Sequence, residues 1–327
     1  MNTRVVKTIS RTALFVFLLC VLLLFSCFPK RYMDACLHGV SLWATCVLPS
    51  TLPFLFVTGL ITRLGFVNKL SKWFTPVTEF LFALSGVSGY CLMMSFLSGY
   101  PVGAKTLSDL KEQGVISRSE ATKMSFICSS SGPLFIIGSV GMGMFCNAMV
   151  GCILLLSHFA AIVLSGVVFR FYKATPAKGY LPALGRTDNL LYECMYSSVI
   201  SVLCVGGFIA VFFTLSQILT DWHVLSPISA LVSGLGAPSD TAKFFAQGLI
   251  EMTGGCSHLA QNTLPLNVGM CAFLITFGGV SILVQQILFL QKAEVKLGIF
   301  FAVKLLQAAV AGLIAFGLTC WLITSQV

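Results

Sequence analysis

Between Met94 and Val140 two apolar runs stop abruptly on glycine, proline and serine. The first stop is Ser98-Gly99-Tyr100-Pro101-Val102-Gly103; the second is Ser129-Ser130-Ser131-Gly132-Pro133. Residues of these types end a helix and leave its terminal N–H and C=O groups without partners. In hydrocarbon such groups survive only where protein packs around them or where they line a polar cavity. The surroundings are hydrocarbon: 57% of the 327 residues are hydrophobic and 9% are charged, whereas a soluble domain carries about 25% charge. The chain therefore reads as an all-α polytopic membrane protein with broken transmembrane helices. The two interruptions are the first place to look for a binding site.

The formal net charge of +9 does not point to nucleic acid. The basic residues sit in short segments between apolar runs, with no aromatic-plus-basic surface, and the positive-inside rule accounts for them. Residues 4–11, 63–72, 105–123, 170–186 and 292–304 hold 17 of the 20 Lys and Arg, leaving Lys30, Arg31 and Lys243. Those five segments are assigned to the cytoplasmic side. Residues 1–34 then form an N-terminal transmembrane helix, its apolar run lying between Thr12 and Phe28. A second span runs from about His38 to Thr62, kinked by Pro49 and Pro53 or repaired there by the Ser50 and Thr51 hydroxyls.

Residues 66–85 are amphipathic and look interfacial. The apolar run from Gly86 to Leu97 is shorter than the ~20 residues a span needs, so it reads as one arm of a re-entrant hairpin entering from the cytoplasm. Phe126 to Phe145 carries the second interruption and spans outward, and Val150 to Phe169 returns. The second half repeats this plan upside down. Leu190 to Leu219 spans outward. Ser226 to Asn262, rich in glycine, forms a hairpin entering from outside. Pro265 to Leu290 spans inward and Leu297 to Ile323 spans outward. Residues 35–187 and 188–327 are thus expected to be two halves of an inverted-topology repeat, each with a re-entrant hairpin. The stretch Met94–Gly103 echoes Met270–Gly279. Such repeats place the substrate near the bilayer midplane, between broken helices.

Ser129, Ser130, Ser131 and Gly132 precede Pro133, which suits a first helical position. Their N–H groups are candidates to hold a carboxylate or similar anion. Ser98, Gly99, Tyr100 and Gly103 form the matching candidate set, with Tyr100 offering a ring to stack and a hydroxyl to donate. Lys105 either neutralises an anionic substrate or snorkels to the inner surface. Glu251, before Thr253-Gly254-Gly255, serves either cation or proton coupling or a hydrogen bond that holds the hairpin. His158 is expected to pack against a backbone carbonyl. The 13 cysteines show no CxxC pair and no zinc spacing. Cys20, Cys91, Cys152, Cys204, Cys271 and Cys320 lie in apolar runs and read as small buried hydrophobes, or as a thiol path for a soft metal ion. No Walker A loop, no GxGxxG after a strand and no G-x-S-x-G is present, so neither an enzyme nor a cofactor is expected.

Four stretches resemble the sporulation integral membrane protein YlbJ family: Pro49-Ser50-Thr51-Leu52-Pro53-Phe54, Ser98 to Lys105, Ser131 to Gly141, and Glu251-Met252-Thr253-Gly254-Gly255. That family belongs to the nucleoside-recognition Gate group, related in fold to concentrative nucleoside transporters. The resemblance covers roughly residues 35–325. It departs at Cys128-Ser129-Ser130, where an Asn is expected nearby. It implies a transporter of spore-forming bacteria that carries dipicolinic acid, a flat aromatic dicarboxylate, across the outer forespore membrane. A Gate-type carrier of nucleosides or metal ions and a non-transporting sporulation scaffold are the alternatives. The expected partners are a small anionic molecule and the lipid bilayer. A homo-oligomer is left open.

Overall fold

The computed structural model describes residues 3–64, 66–100, 102–175 and 189–324. Pro101 of the first interruption and the basic residues Lys178 and Arg186 lie outside them. Among the described residues the structure is helical. Five stretches are long and apolar enough to cross a membrane: Pro29–Ile61, Ala148–Phe171, Leu190–Asp221, Pro265–Lys292 and Leu297–Leu322. A sixth is bent by 103° between Lys72–Phe82 and Gly86–Ser98. The chain is a multi-pass integral membrane protein.

Helix α1 (Thr3–Cys27) precedes α2 (Pro29–Leu42). Pro29 stands in the first turn of α2, where its fixed φ is already helical. The boundary expected at residue 34 therefore falls inside α2. A π-helical turn, Trp43–Val47, joins α2 to α3 (Leu48–Arg63). The two prolines of α3 do not end the helix. The Ser50 hydroxyl donates to the Cys46 carbonyl at 3.1 Å and the Thr51 hydroxyl to the Val47 carbonyl at 2.6 Å.

Helix α4 (Phe66–Phe82) turns sharply into α5 (Gly86–Ser98), which packs against α6 (Val102–Glu112) as a hairpin. Helix α7 (Arg118–Ser125) starts on Ser117, whose hydroxyl accepts the Glu120 N–H at 3.1 Å. The chain is then irregular until Pro133, where helix resumes and becomes a π-helix over Phe135–Met144. Asn147 caps α8 (Ala148–Val168), accepting from Met149 and Val150.

The second half comprises α9 (Leu190–Asp221), α10 (Ser226–Gly234), the paired arms α11 (Ser239–Ile250) and α12 (Met252–Leu259), the broken span α13 (Pro265–Phe277) and α14 (Gly279–Lys292), and α15 (Leu297–Thr324). The interruption at Gly278 was not expected. It takes φ 90° at Gly278 and 64° at Gly279, angles that L side chains rarely adopt.

Two hydrophobic clusters divide the interior. One gathers the second hairpin, α13, the π-helix and the middle of α15, with Met252, Cys256, Leu274, Ile136 and Ala311 among its members. The other gathers the first hairpin, α7, α14 and the start of α15, including Cys91, Leu107, Met124, Leu283 and Phe300. Both broken spans cross from one cluster to the other at their interruptions. Between the clusters lies a thin polar layer: Ser129 to Ser131, His158, Thr276 and Lys304, all buried. That layer is where the polar backbone freed by the breaks is collected.

The echo Met94–Gly103 and Met270–Gly279 pairs a hairpin tip with a broken span, so the two stretches are not equivalent pieces of the halves; the stretch that plays the first hairpin's role in the second half is Ile250 to Thr253. Cys91 and Cys271 are buried, but Cys20, Cys152 and Cys204 are exposed on outward helix faces, where lipid rather than protein surrounds an apolar residue. Arg31, one of the three basic residues outside the cytoplasmic segments, is bidentate with Asp221, at 2.6 and 2.7 Å.

Candidate functional site

Each hairpin tip lies backbone-to-backbone on the interruption of its own half. At the first, Gly99 has φ 70°, and a Cβ there would fall 2.6 Å from the Gly132 nitrogen. A Cβ on Gly103 would fall 2.1 Å from the Cys128 carbonyl oxygen. No side chain fits between backbones that close, which is why glycine recurs at this crossing. At the second, a Cβ on Gly279 would lie 3.0 Å from the Gly248 carbonyl oxygen and 3.3 Å from the Met252 nitrogen.

The two crossings are tied to each other across the polar layer. The Tyr100 hydroxyl points at the Ile275 and Thr276 carbonyls, 3.2 and 3.1 Å away, which belong to the last turn of α13 before its break. Lys304 on α15 donates to the Tyr100 hydroxyl at 3.0 Å and to the Ser129 carbonyl at 2.6 Å. Its Nζ also lies 4.9 Å from the Tyr100 ring centroid. One turn on, the Gln307 amide donates to the Phe126 carbonyl at 2.7 Å. His158 Nε2 accepts the Ser131 N–H at 3.0 Å, so the ring proton sits on Nδ1, 2.9 Å from the Thr276 hydroxyl. His158 thus packs against a backbone N–H and a hydroxyl, not the expected carbonyl: a break leaves donors as well as acceptors unpaired, and a neutral imidazole serves both.

Beside this network lies a cavity of about 360 Å³. Its polar wall includes Ser98, Tyr100, Lys105, Ser131, Thr253 and Gln285, and its apolar wall includes Phe54, Phe135, Phe208 and Phe289. Of the residues singled out in the sequence, Ser98, Gly99, Tyr100, Lys105, Ser131 and Gly132 line it. Gly103, Ser129 and Ser130 stand behind the wall. The Ser129 hydroxyl donates to Gln286, and Ser130 pairs with Ser95 through both its hydroxyl, at 2.8 Å, and its N–H, at 3.1 Å. The N–H groups of Ser130 and Ser131 are therefore already committed to Ser95 and His158 and are not free to cradle an anion. That part of the expectation fails because the buried interruption satisfies itself internally.

Glu251 is buried and does not line the cavity, although its neighbours Met252 and Thr253 do. Its carboxylate caps α12, accepting the Thr253 and Gly254 N–H groups at 2.9 and 2.6 Å. This is the geometry of a hydrogen bond that holds the hairpin. Lys105 is exposed at the cavity wall. Sequence reasoning missed Lys304, which was counted with the cytoplasmic charges. It is 1% exposed and lies seven residues into α15, about 10 Å along the helix axis. A lysine inside an apolar run is the signal that marks it.

No family model matches the chain. It is 28% identical over 339 residues to the sporulation integral membrane protein YlbJ of Bacillus subtilis (strain 168), with 95% of this chain and 82% of that protein covered. The chain is similar to that protein along nearly its whole length. Two solved structures of CNTnw variants, one in an intermediate state and one facing outward, share its fold, with TM-scores of 0.57 and 0.55. Each is 14% identical and covers 96% of this chain, and 85% and 86% of the solved chains are covered in turn. The chain thus carries the fold of the CNTnw structures, in which hairpin tips and broken spans converge on the cavity described above.

Proposed function

We propose that this protein is a secondary transporter that moves a small anionic aromatic metabolite, most simply dipicolinic acid, across the outer forespore membrane during sporulation. One observation carries the reading: a cavity of about 360 Å³ sits where the interrupted helices of both halves meet. Its size is at the lower end of small-molecule sites, which suits a single flat ring. The phenylalanine walls and the Tyr100 ring offer faces to stack on such a ring. Lys105 places a positive charge at the wall, and the Ser98, Ser131 and Thr253 side chains supply hydroxyls. The transport step on this reading is conformational and needs no covalent intermediate or cofactor. The sporulation relative supports the cell type and stage, and the shared transporter fold supports the mode of action.

The test is binding and uptake by the purified full-length protein in proteoliposomes, with dipicolinate, a nucleoside and ferrous iron compared side by side. Saturable dipicolinate uptake that is lost in Ser98→Ala with Tyr100→Ala, at unchanged protein level, supports the reading. Uptake of the nucleoside or the iron alone replaces the cargo. Absence of any uptake, with no dipicolinate binding, leaves the scaffold and overturns the proposal.

A further inference from the structure

Lys304 is a lysine deep in an apolar helix with no carboxylate against it among the described residues. Among the described residues its two hydrogen-bond partners are neutral oxygens, the Tyr100 hydroxyl and the Ser129 carbonyl. Two of its three N–H donors are thereby used. Burying an ammonium without an opposite charge is costly, and intramembrane lysines mark function more often than stability. Lys304 is not part of the cavity wall, but Tyr100 is. The phenol hydroxyl joins the cavity wall to Nζ at 3.0 Å, and the ring centroid lies 4.9 Å from Nζ. The same hydroxyl is directed at Ile275 and Thr276, so one side chain of the first hairpin both accepts from Lys304 and clamps the hairpin to the opposite half.

We infer that Tyr100 is a latch over Lys304, released when a carboxylate of the cargo replaces the phenol as the partner of Nζ. This rests on the cavity being a site for a small anion, and it adds how the anion is recognised and how its arrival is coupled to movement. In the empty protein, lifting the first hairpin tip strips Lys304 of the phenol and leaves two α13 carbonyls unpaired, so the empty form stays closed. A carboxylate against Nζ supplies the opposite charge that a neutral phenol does not. The latch then opens at lower cost, with cargo bound. An uncharged ligand of the same shape gains nothing from Lys304. The residue is therefore a specificity-determining group, and Tyr100 is a positioning residue acting through it.

The experiment measures binding of dipicolinate and of its uncharged analogue pyridine-2,6-dicarboxamide to the full-length protein in nanodiscs. Parent, Lys304→Met, Lys304→Arg and Tyr100→Phe proteins are compared. Lys304→Met should weaken dipicolinate about 30-fold, as expected for losing a hydrogen bond to a charged group, and leave the diamide unchanged. Lys304→Arg should restore part of the preference. Tyr100→Phe should bind dipicolinate about 5-fold tighter, because the hydrogen bonds of the phenol that must be broken are already absent. Its amides near Ser98 to Gly103 should exchange faster without ligand. An unchanged ratio of dianion to diamide in Lys304→Met overturns the latch while leaving the transporter reading intact. Should Lys304→Met fail to fold, unaltered affinity and exchange in Tyr100→Phe overturn it equally. No dipicolinate binding by the parent would instead sink the choice of cargo, and the latch with it.

Discussion

The two hairpin tips solve one problem in opposite ways. Both bring a helix end into the apolar interior and must satisfy the backbone groups exposed there. The second tip closes on itself: the Glu251 carboxylate bonds the first N–H groups of its own helix α12 and does not line the cavity beside Tyr100. The first tip reaches outward: Tyr100 bonds carbonyls of α13, and Lys304 from α15 bonds Tyr100. A tip that carries its own cap keeps that cap when it moves. A tip capped by the other half cannot move without breaking them. On the proposed transporter reading, the difference assigns the second hairpin to structural integrity and the first to the coupling of cargo and motion.

The largest effect that would sharpen this contrast is expected at Gly103. A methyl there meets a backbone oxygen rather than a flexible side chain, so Gly103→Ala should cost about 3 kcal/mol, seen as a collapse of the folded, monodisperse fraction in detergent. Glu251→Ala should come next, at about 2 kcal/mol, since it removes a buried N-cap and leaves two N–H groups unpaired. Thermal melting of the purified protein measures it. The surviving protein should keep the parent's preference for dianion over diamide, and a change of preference would break the assignment of this tip to structure. Gly279→Ala should lose about 1–2 kcal/mol, the strain of a left-handed residue with a Cβ, and again leave cargo preference alone. The smallest effect on stability is expected for Lys105→Gln, exposed at the cavity wall. Its melting temperature should match the parent, while the dipicolinate concentration for half-maximal uptake should rise severalfold and the diamide should be unaffected. Equal uptake by this variant would mean that Lys105 merely snorkels.

Much of the fold was legible in the sequence because the membrane makes backbone interruptions expensive. Gly, Pro and Ser in the middle of an apolar run therefore have few innocent readings, and the breaks at Ser98–Gly103 and Ser129–Pro133 stood out. The break at Gly278 did not, because the same apolar run continues beyond it and two glycines alone are tolerated in transmembrane helices. The echo around it misled for a related reason: a similar break can serve a hairpin tip or a broken span, and ten residues of sequence do not say which. Charge counting placed most cytoplasmic segments but swept Lys304 in with them, since a count sees sign and order and not depth.

What the sequence determined by itself was the spans, the interruptions and the residue types available at each, all of which follow from local backbone chemistry and hydropathy. Which side of each interruption faces the cavity was decided only by packing. Ser98, Tyr100 and Ser131 reach the wall while Gly103, Ser129 and Ser130 stand behind it, and Glu251 turns to its own helix. Those choices depend on which distant groups come within about 3 Å, such as Ser95 for Ser130, Gln286 for Ser129, and Lys304 for Tyr100 from 204 residues away. Hydrogen bonds are that short-ranged, so only the folded chain could select them.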